Sequence, residues 1–66
     1  MKLVVNGKPA EVADGTTLTE LVESYGLHVG SVVVEHNGTA LLPSEQSRTP
    51  LADGDRLELV RAVAGG

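Results

Sequence analysis

The stretch Arg56-Leu57-Glu58-Leu59-Val60-Arg61-Ala62-Val63-Ala64-Gly65-Gly66 decides how this chain is read. Its first part alternates, with Leu57 and Leu59 on one face and Glu58 and Val60 on the other, which is the period of a β-strand. Its last part cannot extend that strand usefully. Glycine loses more backbone freedom on ordering than any other residue and offers no side chain to pack, so a segment closing in Gly65-Gly66 is poorly suited to holding a fold together. It is well suited to threading, because without β-carbons the backbone passes through a narrow channel and leaves its carboxylate open to attack. The expected division is a folded domain over residues 1–62 and a flexible tail over 63–66. Ala64 and Gly65 are expected to thread, and Gly66 to carry the working carboxylate. Termini also fray without purpose, so the weight of the reading falls on what precedes the tail.

Working outward, the 66 residues make one domain near the lower limit for folding alone, a size that buries about 60% of the surface its unfolded chain exposes. The chain has no cysteine, so stability must come from aliphatic packing and hydrogen bonds rather than from disulfides or a thiolate metal site. No apolar run approaches the roughly 20 residues of a membrane span, and no basic region followed by an apolar core opens the chain. The expectation is a cytoplasmic protein with no membrane partner. A formal net charge of −4 with a single aromatic residue, Tyr25, argues against nucleic acid, which calls for clustered Lys and Arg and for stacking platforms. Acidity of this size suits partner proteins with basic docking surfaces.

Taken in order, Lys2 to Asn6 alternates as a strand, and Asn6-Gly7 is a type I′ hairpin signal because both positions need positive φ. The return strand runs from about Lys8 to Ala13, with Pro9 placed where a missing N–H faces solvent at a sheet edge. Thr17-Leu18-Thr19-Glu20 fits a capping box. Leu18, Leu21, Val22 and Tyr25 then form one apolar stripe, and Gly26 ends the helix as a C′ glycine. The β-branched run Val32-Val33-Val34 predicts a third, interior strand over Ser31 to Asn37. Asn37-Gly38 is a second turn signal, followed by a short strand about Ala40 to Leu42 that Pro43 closes. Ser44 to Pro50 reads as loop with room for one helical turn, and Asp53-Gly54-Asp55 as a tight turn into the last strand. The expected fold is α+β, a mixed four- to five-stranded sheet with one helix packed on one face.

This order of elements and the Gly-Gly end resemble the ubiquitin-like β-grasp sulfur carriers, most closely the ThiS family of thiamine biosynthesis within the ThiS/MoaD superfamily. The resemblance covers the whole chain. It rests on Asn6, Thr17-Leu18 through Leu21, the valine strand ending at Asn37, Leu42-Pro43 with Glu45-Gln46, Leu51 with Asp53-Gly54-Asp55, and Leu57 through Val63-Ala64-Gly65-Gly66. One departure is that Ser44 and Ser47 stand where many members carry a basic and an aromatic residue. The resemblance implies a carrier, not an enzyme, with no bound cofactor. An adenylating enzyme of ThiF type would use ATP and Mg²⁺ to activate the Gly66 carboxylate. Sulfur from a donor such as a cysteine desulfurase would make a thiocarboxylate, and a thiazole synthase of ThiG type would take it. The free carrier would be a monomer. The small subunit of molybdopterin synthase, a sulfur carrier for cysteine or another thiolated metabolite, a ubiquitin-like protein modifier and an inert β-grasp binding module are the alternatives.

Docking needs a surface. If Leu3, Val5, Leu57 and Leu59 point to the helix, then Val33 and Val60 point away with Val4, a small exposed apolar patch near the tail of the kind that marks interaction sites. The ordinary alternative is a set of half-exposed strand residues. Arg61 and Val63 lie beside the tail and join Val33 and Val60 as the expected partner-binding residues. Other signals are weaker. His28 and His36 lack metal-pair spacing and read as surface residues, the turn glycines form no phosphate loop, Asp53 and Asp55 read as turn chemistry, and Ser44, Ser47 and Thr49 have no triad partners.

Overall fold

The computed structural model describes residues 1–61. Five strands and two helices follow one another as β1 (Lys2–Val5), β2 (Lys8–Glu11), α1 (Leu18–Ser24), β3 (Val32–His36), β4 (Thr39–Leu41), α2 (Pro43–Gln46) and β5 (Arg56–Arg61). They form one mixed sheet in the order β2-β1-β5-β3-β4. The hairpins β1–β2 and β3–β4 are antiparallel, as two-residue turns require. β5 enters between them, parallel to β1 and antiparallel to β3. The strand that leads to the tail is therefore the middle strand of the sheet.

Local chemistry fixes these elements. Asn6 and Asn37 take φ of 52° and 50°, and Gly7 and Gly38 follow at positive φ, the backbone of the expected type I′ turns. Pro9 lies on the edge strand β2 opposite Val4, where its lack of an N–H costs no ladder bond. Thr17 caps α1: its hydroxyl accepts from the Glu20 N–H at 3.0 Å, and the Glu20 carboxylate accepts from the Thr17 N–H at 2.9 Å.

The core is one aliphatic cluster on the helix side of the sheet. Leu3, Val5, Val32, Val34, Leu57 and Leu59 meet Leu18, Leu21 and Val22 of α1, each worth about 1.5–3 kcal/mol when fully removed from water.

Four expectations need correction. Tyr25 does not continue the apolar stripe; it is the C-cap of α1 and is 45% exposed, because the seven-residue helix ends one residue before the stripe would bring it onto the sheet. The return strand stops at Glu11 rather than Ala13. Pro43 does more than close β4. It opens α2, a second short helix, where its fixed φ suits the first turn and its missing N–H would have had no helical acceptor. His36 is not a surface residue, since its side chain is mostly buried and hydrogen-bonded. The expected boundary between residues 62 and 63 lies outside the described residues.

Candidate functional site

The tail residues proposed from sequence, Val63, Ala64, Gly65 and Gly66, lie outside the described residues. What the structure places is the base from which they depart. β5 carries β1 on one side and β3 on the other, and two turn asparagines extend both pairings. Asn6 donates its N–H to Leu57 O at 2.8 Å and accepts from the Leu59 N–H through Oδ1 at 2.7 Å. Asn37 does the same from the other side, donating its N–H to Arg56 O at 2.8 Å and accepting from the Arg56 N–H at 2.9 Å. Each asparagine thus supplies a turn its positive φ and clamps the tail-bearing strand.

The start of β5 is held equally closely. Lys2 donates its N–H to Asp53 Oδ1 at 2.6 Å and accepts from the Gly54 N–H at 2.7 Å. Asp55 accepts from His36 Nε2 at 2.8 Å, from Asn37 Nδ2 at 3.0 Å and from the Ala52 N–H at 2.8 Å. Burial desolvates this carboxylate and would by itself raise its pKa, but those three donors outweigh burial and hold it below the usual carboxylate value. Asp55 is thus structural, a role the sequence signalled only as a turn residue.

Among the described residues, nothing covers the face of the sheet away from the helices. Val33 and Val60 are direct cross-strand partners there, 47% and 55% exposed. Val34 pairs with Leu41, so the next residue along β4, the extended Leu42, falls beside Val33, and it is 63% exposed. Leu42, Val33 and Val60 therefore make one apolar row across the sheet at the end where the tail leaves. Sequence reading found Val33 and Val60 and missed Leu42, whose signal was the alternation continuing past Leu41. Val4 shares the face further along and is half-buried. Arg61 does not join this group. It pairs with the buried Val32 and has the parity of Leu57 and Leu59, so it projects toward the other side of the sheet at the same end.

Gln46 on α2 adds a feature no motif announced. Its side chain is fully buried, Nε2 donates to Val32 O at 3.4 Å, and Oε1 has no partner.

A helix-backed sheet with one bare face and a central strand leading to a C-terminal diglycine defines a β-grasp protein of the ubiquitin-like class. The ThiS family profile matches residues 3–66. A sulfur carrier protein ThiS of Thermus thermophilus is 39% identical over 94% of this chain and 95% of its own length. A solved structure of thiamine biosynthesis protein ThiS from Geobacter metallireducens covers all of both chains at 35% identity with a TM-score of 0.80. A thiazole synthase of Paramagnetospirillum magneticum is 33% identical over the whole of this chain, which spans 20% of that relative's length. This chain belongs to the ThiS family of sulfur carriers.

Proposed function

We propose that the chain carries sulfur as a thiocarboxylate on Gly66 for thiazole formation in thiamine biosynthesis, in the cytoplasm. A carboxylate is a poor acyl donor because it is ionised at neutral pH, with an ordinary pKa of about 3.5. An adenylating partner of ThiF type removes that obstacle: the Gly66 carboxylate attacks the α-phosphorus of ATP, pyrophosphate leaves, and Mg²⁺ balances the phosphate charge. The terminal sulfur of a persulfide, generated by a cysteine desulfurase, then attacks the acyl carbon and AMP leaves. A second thiolate then attacks the sulfur of the resulting acyl disulfide that is farther from the acyl carbon; the S–S bond breaks, a new disulfide forms between the two thiols, and the thiocarboxylate leaves. A thiazole synthase of ThiG type receives it.

The chain contributes no acid or base to these steps. Its residues supply reach and affinity: Ala64 and Gly65 pass through the partner's channel, and the row Leu42, Val33 and Val60 seats the domain against the partner, while Arg61 at the same end faces the other side of the sheet. The observation that carries the reading is the end-to-end likeness to a ThiS carrier, supported by the central placement of β5, the strand that precedes Gly65-Gly66 in the sequence. The thiazole synthases that contain a ThiS-like fifth favour that enzyme as the sulfur acceptor.

The test is the intact mass of the chain isolated from its native cells under conditions that protect thioacids. One oxygen replaced by sulfur, located at Gly66 by fragmentation, is the expected result. An unmodified Gly66 that persists when thiazole formation is blocked would overturn it.

A further inference from the structure

The apolar row on the bare face has a charged row beside it. Glu35 and Glu58 are direct cross-strand partners, one residue pair beyond Val34 and Leu59 and on the same face as Val33 and Val60. Side chains so placed stand about 4.5–5.5 Å apart at their β-carbons, and like charges directly opposite each other destabilise a sheet. Among the described residues neither carboxylate makes an ion pair or hydrogen bond. Arg56 is two residues along β5 on the same face, yet it is not within ion-pair distance of either. Both glutamates border a cavity of about 360 Å³ that Val4 and Arg56 also line and that Gly7 and Gly38 leave open at the turn end.

The free chain thus keeps two repelling carboxylates next to an exposed apolar row, an arrangement that gains most when a cation is brought in with the apolar cover. Resting on the reading above, we propose that the adenylating partner presents a lysine or arginine side chain between Glu35 and Glu58 while its apolar surface covers Leu42, Val33 and Val60. The long aliphatic stem of such a residue lies along Val4, and its charged head meets both carboxylates. Acidic or neutral surfaces are rejected at the same position, so the pair acts in selection of the partner as well as in affinity.

The experiment measures binding of the full chain to the ThiF-type adenylating enzyme of its own source by calorimetry at about 50 and 500 mM salt, for the native chain and for the double variant Glu35→Gln/Glu58→Gln. The native chain is expected to bind and to weaken strongly with salt, since exposed charges are screened beyond about 10 Å at 0.1 M. The double variant should bind about tenfold or more weakly at low salt and lose most of the salt dependence. Its thermal midpoint alone should rise by roughly 1–5 °C as the repulsion is removed. Unchanged affinity and salt dependence in the variant would overturn the cation, and so would a fall in its midpoint. Absence of binding by the native chain is a different result, overturning the carrier reading itself.

Discussion

The two faces of this sheet are made by the same strands from alternate residues, and they obey opposite rules. On the helix side, Leu57 and Leu59 are buried against α1, and the one carboxylate at that side's polar end, Asp55, has three donors. On the bare side, Val60 is more than half exposed, and Glu58 faces another glutamate with no donor among the described residues. A single strand therefore buries Leu57 and Leu59 in the core and leaves Glu58 and Val60 exposed on the opposite face. In so small a domain core and exposed surface are separated by the pleat alone, at a spacing of one residue.

Neighbouring positions should consequently respond in unrelated ways. The largest effect is expected at Leu59→Ala, a buried large-to-small change worth about 2–5 kcal/mol, read as a loss of unfolding free energy in urea. A change within about 0.5 kcal/mol would mean that the two faces are not distinct in the way described. Asp55→Asn should follow, costing about 1–3 kcal/mol near neutral pH because buried donors lose their ionised acceptor. Its pH dependence sharpens the point. A carboxylate whose folded pKa lies below the unfolded value contributes stability above that unfolded value, about 3.9, and loses it as pH falls through the folded one. The native chain should therefore weaken below about pH 4, and the acid limb of the variant should be flatter; equal acid limbs would remove Asp55 from the account. The smallest stability effect belongs to Val60→Ala, within about 0.5 kcal/mol, although it should weaken binding to the adenylating enzyme measurably. Loss of stability comparable to that of Leu59→Ala would show Val60 to be core.

Most of the fold was legible because it is written in local chemistry. Asn-Gly pairs, the Thr17–Glu20 box and the alternation of Leu57 to Val60 each specify an element within a few residues, and the last strand's two faces follow from its pattern. Less legible were features in which the deciding partner is distant in sequence. α2 has too few residues for an apolar period, so Pro43 looked only like a strand end. Tyr25 has helical spacing, but the length of α1, not the spacing, decides whether it reaches the sheet. The bonds from His36 and Asn37 to Asp55 join residues 19 and 18 positions apart, and nothing near either histidine distinguishes the one that is tied down. Leu42 joins the apolar row only through the register of β3 with β4, and Arg61 leaves it through the register of β3 with β5. The site reading depended most on the resemblance, because a diglycine names a reactive end without naming what acts on it.

The clamping of β5 by Asn6 and Asn37 has a mechanical consequence. A pull on the chain beyond Arg61 would load β5 along its own axis. That strand is bonded on both flanks, parallel to the first strand and antiparallel to the third, so the load falls on two rows of bonds in shear. They must give way together, whereas an edge strand pulled sideways would peel off one bond at a time. The two asparagine side chains and their N–H groups add bonds at the ends of both rows. The sheet is thus built to resist tension along its middle strand.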